Sequence, residues 1–353
     1  MVGDRERTAR VIGDTERAAR AVGAVVGSAV GDALGAPFEF GAAGAFSVKY
    51  PVKNPVKRPA KYPAQMLPVL PAEPNPPGDP TPSEMRGGGG WDPGEATDDT
   101  QMAVLVADSL LERGGLDPAD IFERFQRWAR SDPKDIGLQT ESVLTSGDPW
   151  DSAAGLHFWI TGHAAGNGSP MRAATSAVYF ASAGREATMD AARRIAALTH
   201  GDRAAWEGTA VFHELVRLAL DGEDPLIALP GVITRIHPDH RDRYAAILAP
   251  DWHPGLATEF NGAVWPCLGS AVWALRITSD YESALRAAID LGGDTDTVAA
   301  VTGGLAGAVY GRDAIPVRWT DVLHVPVPGW GERVVRYPEL AEMAMRLLAA
   351  AAQ

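Results

Sequence analysis

The chain has 353 residues, 46% of them hydrophobic, with 45 acidic against 32 basic side chains and a formal charge of −13. That length fits one large domain or two modest ones with an ample core, and the acidic balance argues against a nucleic-acid binder, because any basic patch would work against the global field. One cysteine, Cys267, cannot close an intramolecular disulfide, and the first twenty residues mix both signs of charge, so a cytoplasmic protein without a leader is expected.

Residues 1–15 read as a charged extension and residues 16–353 as the domain. From Glu16 to Leu34 the pattern is helical, and Gly23, Gly27, Gly31 and Gly35 recur every fourth residue along one side. Each such glycine costs a helix about 1 kcal/mol relative to alanine, so the stripe should serve close approach of another backbone or of a ligand. Asp32 interrupts the apolar stretch from Ala18 to Pro37, which makes it a poor membrane span; no transmembrane helix is expected. From Pro51 to Pro82 proline is too dense for helix interior or central strand. This insertion reads as an arm that brings flexible backbone, "RGGGGWDPGE", to the mouth of a site, or as a disordered spacer.

Helical periodicity dominates the rest, in segments 98–114, 118–131, 186–199, 203–222, 263–278, 281–293, 296–311 and 337–352. Convincing alternating strands are absent and the segments share no fixed period, so the expected fold is all-α, a compact single domain of many helices rather than a solenoid.

Two acidic clusters stand at helix starts. In "GEATDDTQ", residues 94–101, Asp98 and Asp99 lie between Thr97 and Thr100. Asp98 with Gln101 fits a capping box, and acids in a first turn suit the helix dipole. In "LGGDTDT", residues 291–297, Asp294, Asp296 and Thr297 repeat the pattern. Each cluster by itself reads as a helix start or as half of a metal site. Carboxylate and hydroxyl oxygens are hard ligands that suit Mg²⁺ or Mn²⁺ rather than zinc. An EF-hand is excluded, since "DTDTVAAVTGGL" has no glycine at the sixth position and no final glutamate. If the clusters meet, four carboxylates would hold two divalent ions roughly 3.5–4 Å apart. In "AAGNGSPMRAA", Gly166 and Gly168 precede a helix whose first amides could accept an anion, or Asn167 and Gly168 simply form a turn. His200 reads as a binding residue or a helix-end cap, and Arg172 as structural.

The motifs "GSAVGDALGAPFEF", "GEATDDTQMA", "GNGSPMRAA", "LTHGDRAAWEG" and "LGGDTDTVAAVTGGLAGAVYG", spread from about Gly23 to Tyr310, together resemble the ADP-ribosylglycohydrolases, the family of dinitrogenase reductase-activating glycohydrolase and the ADP-ribosyl-acceptor hydrolases. The resemblance implies an all-α fold, a binuclear Mg²⁺ or Mn²⁺ centre, and hydrolysis of the glycosidic bond between ADP-ribose and an acceptor side chain. An ADP-ribosylated protein, most simply one modified on arginine, would be the substrate, and ADP-ribose the product. Thr97, Asp98 and Asp99 would form one ligand set and Asp294, Asp296 and Thr297 the other, with Asp99 and Asp296 also counted as catalytic. Glu39 would position or activate water. Asp135, in "RWARSDPKDIGLQT", would be an acid, a base or a group that recognises a cationic acceptor. Asn167, Gly168, Ser169 and Met171 would contact ADP-ribose, with His200 as a further contact. Other readings are a serine-linked or nucleic-acid-linked substrate, a non-catalytic ADP-ribose-binding relative, and a two-metal phosphoesterase that would release AMP instead. The Pro-rich insertion and the extension depart from the simpler family pattern and bear on acceptor access.

Overall fold

The computed structural model describes residues 12–51 and 83–350. The proline-rich arm beyond Pro51 and the charged extension before residue 12 lie outside the described residues. The chain runs through α1 (Asp14–Gly35), α2 (Ala45–Lys49), α3 (Asp98–Arg113), α4 (Pro118–Ala129), α5 (Leu138–Thr145), α6 (Ala153–Thr161), α7 (Ala174–Phe180) and α8 (Arg185–Ala196). It continues with α9 (Arg203–Leu220), α10 (Pro225–Ile233), α11 (Pro238–Ile247), α12 (Val264–Ile277), α13 (Tyr281–Ile289), α14 (Thr295–Tyr310), α15 (Val317–Thr320) and α16 (Tyr337–Ala350). The fold is all-α apart from one antiparallel pair among the described residues, β1 (His324–Pro326) with β2 (Val334–Arg336). Three residues are too few for alternation to show in the sequence.

Local chemistry sets many of these boundaries. Asp117, Asp202, Asp224 and Asp280 each cap the helix that follows by accepting from its first amides, which satisfies donors with no partner inside the helix. Proline enters α4, α10 and α11 in the first turn, where its missing N–H costs nothing. The eight expected segments are all helices. Seven others, α2, α5, α6, α7, α10, α11 and α15, lie outside those segments: they are 4 to 10 residues long, and α10 carries Pro230 inside it.

The core is organised on α1 and α14. Every residue of α1 from Ala21 to Gly35 is buried. By length and composition alone the stretch Asp14–Phe38 could cross a membrane, but 94% of its most apolar window is covered by the protein itself. The cover is α14. A Cβ built on Gly23, Gly27, Gly31 or Gly35 would collide with the carbonyl oxygens of Gly307, Gly303, Ala299 and Thr295 respectively, and Gly303 and Gly307 face the carbonyls of Gly27 and Gly23 in return. The pairing order makes the helices antiparallel, so the C-terminal end of α1 meets the N-terminal end of α14. Of the two uses open to the glycine stripe, backbone contact is the one realised. Tyr281, on α13, donates its hydroxyl to Gly27 O at 2.7 Å and braces the seam.

Gly31→Ala should therefore lower stability by about 3 kcal/mol, at the upper end of overpacking penalties because backbone rather than a side chain must move. Gly155→Ala, in an open stretch of α6 with nothing within 4 Å of the new methyl, should instead raise it by about 0.5–1 kcal/mol. Chemical denaturation of both variants checks the pair, and equal effects would contradict the seam.

Candidate active site

The seam gathers four stretches of chain at one end of the molecule. Glu39 follows the end of α1, Asp294 and Asp296 begin α14, and α3 begins beside Asp32 of α1. The loop that carries Asp135 completes the group, since the fields of Asp135, Asp294 and Asp32 all act on Glu39.

Asp32 is fully buried. It accepts hydrogen bonds from Thr97 N at 3.0 Å, Thr100 N at 3.1 Å and Thr100 Oγ1 at 2.5 Å. The carboxylate that caps α3 is thus supplied from α1, across 65 residues of sequence. This corrects the capping box expected of Asp98 and Gln101. Thr97 is the N-cap, its hydroxyl accepting from Asp99 N at 3.4 Å, and Gln101 Oε1 accepts from Trp128 Nε1 at 2.8 Å. Because Asp32 already satisfies the amides of Thr97 and Thr100, Asp98 is not used for capping.

The second cluster is held from two sides. Asn261 Oδ1 accepts from Asp294 N at 3.0 Å, and Asn167 Nδ2 donates to Asp294 Oδ2 at 2.9 Å. Thr297 N donates to Asp296 Oδ1 at 2.8 Å. The two clusters meet where Thr297 Oγ1 donates to Asp99 Oδ1 at 3.4 Å. One oxygen each from Glu39, Asp294 and Asp296 lies within 4.8 Å of the other two. That grouping, with the buried Asp98 and Asp99, offers the carboxylate oxygens that suit a hard cation.

The electrostatics test that fit. Burial, then the fields of Asp135, Asp294 and Asp32, pushes the Glu39 carboxyl up to about 7. Burial raises Asp32 to about 6 in spite of its hydrogen bonds. Asp98, Asp99 and Asp296 are driven well above the ordinary range by burial and then by neighbouring carboxylates, and burial raises Asp135 and Asp294 too. Arg172 is the cation whose field reaches Asp98 and Asp99, but its guanidinium is committed elsewhere: it donates to Thr199 Oγ1 at 2.6 Å and lies over the Phe125 ring. Asp99 Oδ2 and Asp294 Oδ1 are buried with no hydrogen-bond partner. Two orphaned carboxylate oxygens in one cluster of like charges fit divalent cations.

The segment expected to contact ADP-ribose is arranged differently from the sequence reading. No helix begins directly after Gly168; α7 starts at Ala174 and has seven residues, so helix amides do not face an anion there. Asn167 spends its amide on Asp294. Ser169, Met171 and His200 are buried: Ser169 Oγ accepts from Thr209 Oγ1 at 2.9 Å, Met171 Sδ lies 3.9 Å from Thr297 Oγ1, and His200 shares a 2.9 Å hydrogen bond with Thr199 Oγ1. The His200 ring lies against Gly166 and Gly168, 3.3 Å from a Cβ built on the first and 3.1 Å from one built on the second. Burial and then the Arg172 charge hold His200 well below its usual pKa. What Gly166 and Gly168 present outward is half-buried backbone. Beside it runs a groove of about 770 Å³ lined by Leu138, His157, His163, Gly166, Phe260 and Trp265.

Sequence reasoning missed Asp32 and Asn261. A charge inside an otherwise apolar helix was a visible signal for Asp32; Asn261 had none. Two non-glycine residues among the described ones have positive φ, Phe40 at 56° and Asp132 at 52°. They flank the two proton-transfer candidates, Glu39 and Asp135.

Comparison with known proteins agrees with this geometry. Residues 13–353 match the family model described as ADP-ribosylglycohydrolase, and the chain belongs to that family. It is 28% identical over 327 residues, covering 90% of this chain and 92% of the relative, to the ADP-ribosyl-dinitrogen reductase glycohydrolase of Rhodospirillum rubrum. It is 28% identical over 251 residues, 68% of this chain and 66% of the relative, to an ADP-ribosylarginine hydrolase of Pseudomonas putida. A solved structure described as an ADP-ribosylglycohydrolase-related protein complex superimposes with a TM-score of 0.66 at 32% identity, covering 96% of this chain and 99% of that one. The protein is thus a glycosidic-bond hydrolase of the ADP-ribosylglycohydrolase type.

A raised carboxyl pKa has a stability consequence. Glu39 in the folded chain holds its proton up to about 7 against 4.5 for the ordinary group, and Asp32 up to about 6 against 3.8. The folded state binds more protons than the unfolded state across that window, so stability is lost as pH rises through it. In EDTA the melting temperature should fall between about pH 5 and about pH 8, and excess Mg²⁺ or Mn²⁺ should restore it at the upper pH while changing little at the lower, where protons compete. Thermal unfolding at both pH values checks this; a cation effect of equal size at both would contradict it.

Proposed function

We propose that this ADP-ribosylglycohydrolase removes mono-ADP-ribose from arginine side chains of modified cytoplasmic proteins, using two divalent cations, Mg²⁺ or Mn²⁺. The pair of buried, unpartnered oxygens on Asp99 and Asp294 carries the metal part of this reading. Thr97, Asp98 and Asp99 on one side and Asp294, Asp296 and Thr297 on the other would hold the ions. The arginine acceptor is supported by relatives whose names specify ADP-ribosylarginine and dinitrogen reductase.

When bound, the cations would supply Lewis acidity and fixed sites for the ribose 2′ and 3′ hydroxyls. The groove of about 770 Å³ past Gly166 would take the rest of ADP-ribose, and binding there would set the anomeric carbon near the carboxylates. Glu39, half-buried and with its carboxyl raised to about 7, would take a proton from the attacking water near neutral pH. As the bond from the anomeric carbon to the guanidine nitrogen breaks, the new bond to water oxygen forms, and the proton taken by Glu39 ends on the departing guanidine or in solvent. Asp135, whose field acts on Glu39, would hold the cationic acceptor. The surrounding negative charge would stabilise an oxocarbenium-like transition state.

The test is release of intact ADP-ribose from an ADP-ribosyl-arginine protein, with Mg²⁺ or Mn²⁺ and with EDTA. Asp99→Asn, Asp296→Asn and Glu39→Gln should each lower kcat by at least about 100-fold, and only Glu39→Gln should remove the acidic limb of the pH profile while cation binding persists. Release of AMP instead would identify a phosphoesterase, and no release from any linkage would leave a binding role.

A further inference from the structure

Two phenylalanines stand out at the mouth of the acidic cluster. Phe40 is 73% and Phe260 57% exposed, and their rings are near parallel, 19° apart in plane with centroids 6.3 Å apart. Large apolar side chains scattered singly on a surface need no explanation, but these two come from loops more than two hundred residues apart and are aligned with each other rather than with the core.

Both loops are fixed to the turn that carries Asp294. Phe40 N donates to Gly293 O at 2.6 Å and Gly293 N donates to Gly41 O at 3.2 Å. A Cβ built on Gly262 would lie 3.0 Å from Phe260 Cδ1 and 3.2 Å from Asp294 Oδ2, so the Phe260 edge and the Asp294 carboxylate border the same small space. Phe40 adjoins Glu39 directly. Its φ of 56° is a conformation that a bulky residue adopts only when its surroundings hold it there. A strained aromatic kept in solvent at a catalytic mouth invites a functional account.

We propose that Phe40 and Phe260 form the acceptor subsite, receiving the planar guanidinium of ADP-ribosyl-arginine on their ring faces while the Glu39 and Asp294 side supplies negative charge. Guanidinium is planar, weakly hydrated and well suited to an aromatic face. A serine-linked substrate offers no such cation. The subsite rests on the arginine reading above and adds to it the residues that discriminate the acceptor.

Phe40→Leu and Phe260→Leu should each raise KM for an ADP-ribosyl-arginine protein about 2- to 30-fold, with kcat little changed, as expected for uniform binding. Affinity for free ADP-ribose, which lacks the acceptor, should stay put in Phe40→Leu, whose ring does not line the groove, and Phe260→Tyr should keep the wild-type KM. An unchanged KM in both leucine variants overturns the subsite, as does a loss of ADP-ribose affinity in Phe40→Leu that matches its rise in KM. Calorimetric titration of N-ethylguanidine into the ADP-ribose-saturated protein separates this from the arginine reading. Binding that is lost in Phe260→Leu supports the subsite even if the wild type releases nothing from arginine; turnover of arginine with no guanidine binding in the wild type counts against it.

Discussion

The contact between α1 and α14 is the constraint on which the rest of the molecule depends. Helices normally pack with side chains between them at 8–10 Å; here glycines bring backbone against backbone from Gly23 to Gly35. The antiparallel order fixes what lies at each end. At one end Gly23 meets Gly307, and at the other Gly35 meets Thr295 and Asp296. Glu39, a few residues beyond α1, is thereby delivered to the start of α14, where Asp294 and Asp296 stand. Thr295 Oγ1 donates to Gly35 O at 2.8 Å and locks that end. A wider seam would separate carboxylates that must act on one small volume.

Assembling that volume runs against stability. Two helix N-termini, those of α3 and α14, bring their positive ends toward the cluster. A helix terminus contributes about 0.3–2 kcal/mol toward an adjacent charge, whereas taking a carboxylate out of water costs several kcal/mol even after relaxation. With Asp32, Asp98, Asp99 and Asp296 all buried, the dipoles are too weak by a wide margin. Nor does Arg172 compensate, because its guanidinium lies over the Phe125 ring and donates to Thr199 and Met102 rather than to a carboxylate of the cluster. The fold tolerates a set of carboxyls that either keep protons or share cations, and its extensive apolar core offsets that cost.

How much of this was legible in the sequence follows from the range of the interactions. The glycine stripe and the two acidic motifs are local patterns, and they pointed to the right elements. Eight helices after α1 announced themselves because their apolar residues repeat on one face; in α5 and α6, where few residues are buried, no such face repeats. The capping assignment failed for an instructive reason. Local rules assign a helix cap from residues next to it, and Asp98 with Gln101 satisfied them, but the carboxylate that meets the first amides of α3 comes from Asp32 in another helix. Asn167 shows the same limit. Its Asn-Gly context signals a turn, and the turn is present, but its amide is used on Asp294, 127 residues away, a partner that no local pattern encodes.

A division of labour between rigid and adjustable parts emerges from where each group sits. The residues that would hold cations lie at helix starts, whose backbone is fixed by the seam and by Asp32. The groups that would move protons and meet the acceptor, Glu39 and Asp135, lie in loops, each near one of the two left-handed non-glycine residues, Phe40 and Asp132. Asparagine and aspartate enter that conformation at little cost, but phenylalanine does not. The strain therefore falls on the Glu39 side, at the residue whose ring faces solvent beside Phe260. Holding Phe40 there fixes the direction of the chain just after Glu39 and the position of an exposed aromatic face in one stroke. A change of acceptor chemistry within the family could then be made by altering the two loop aromatics, without disturbing the helix starts that would hold the cations.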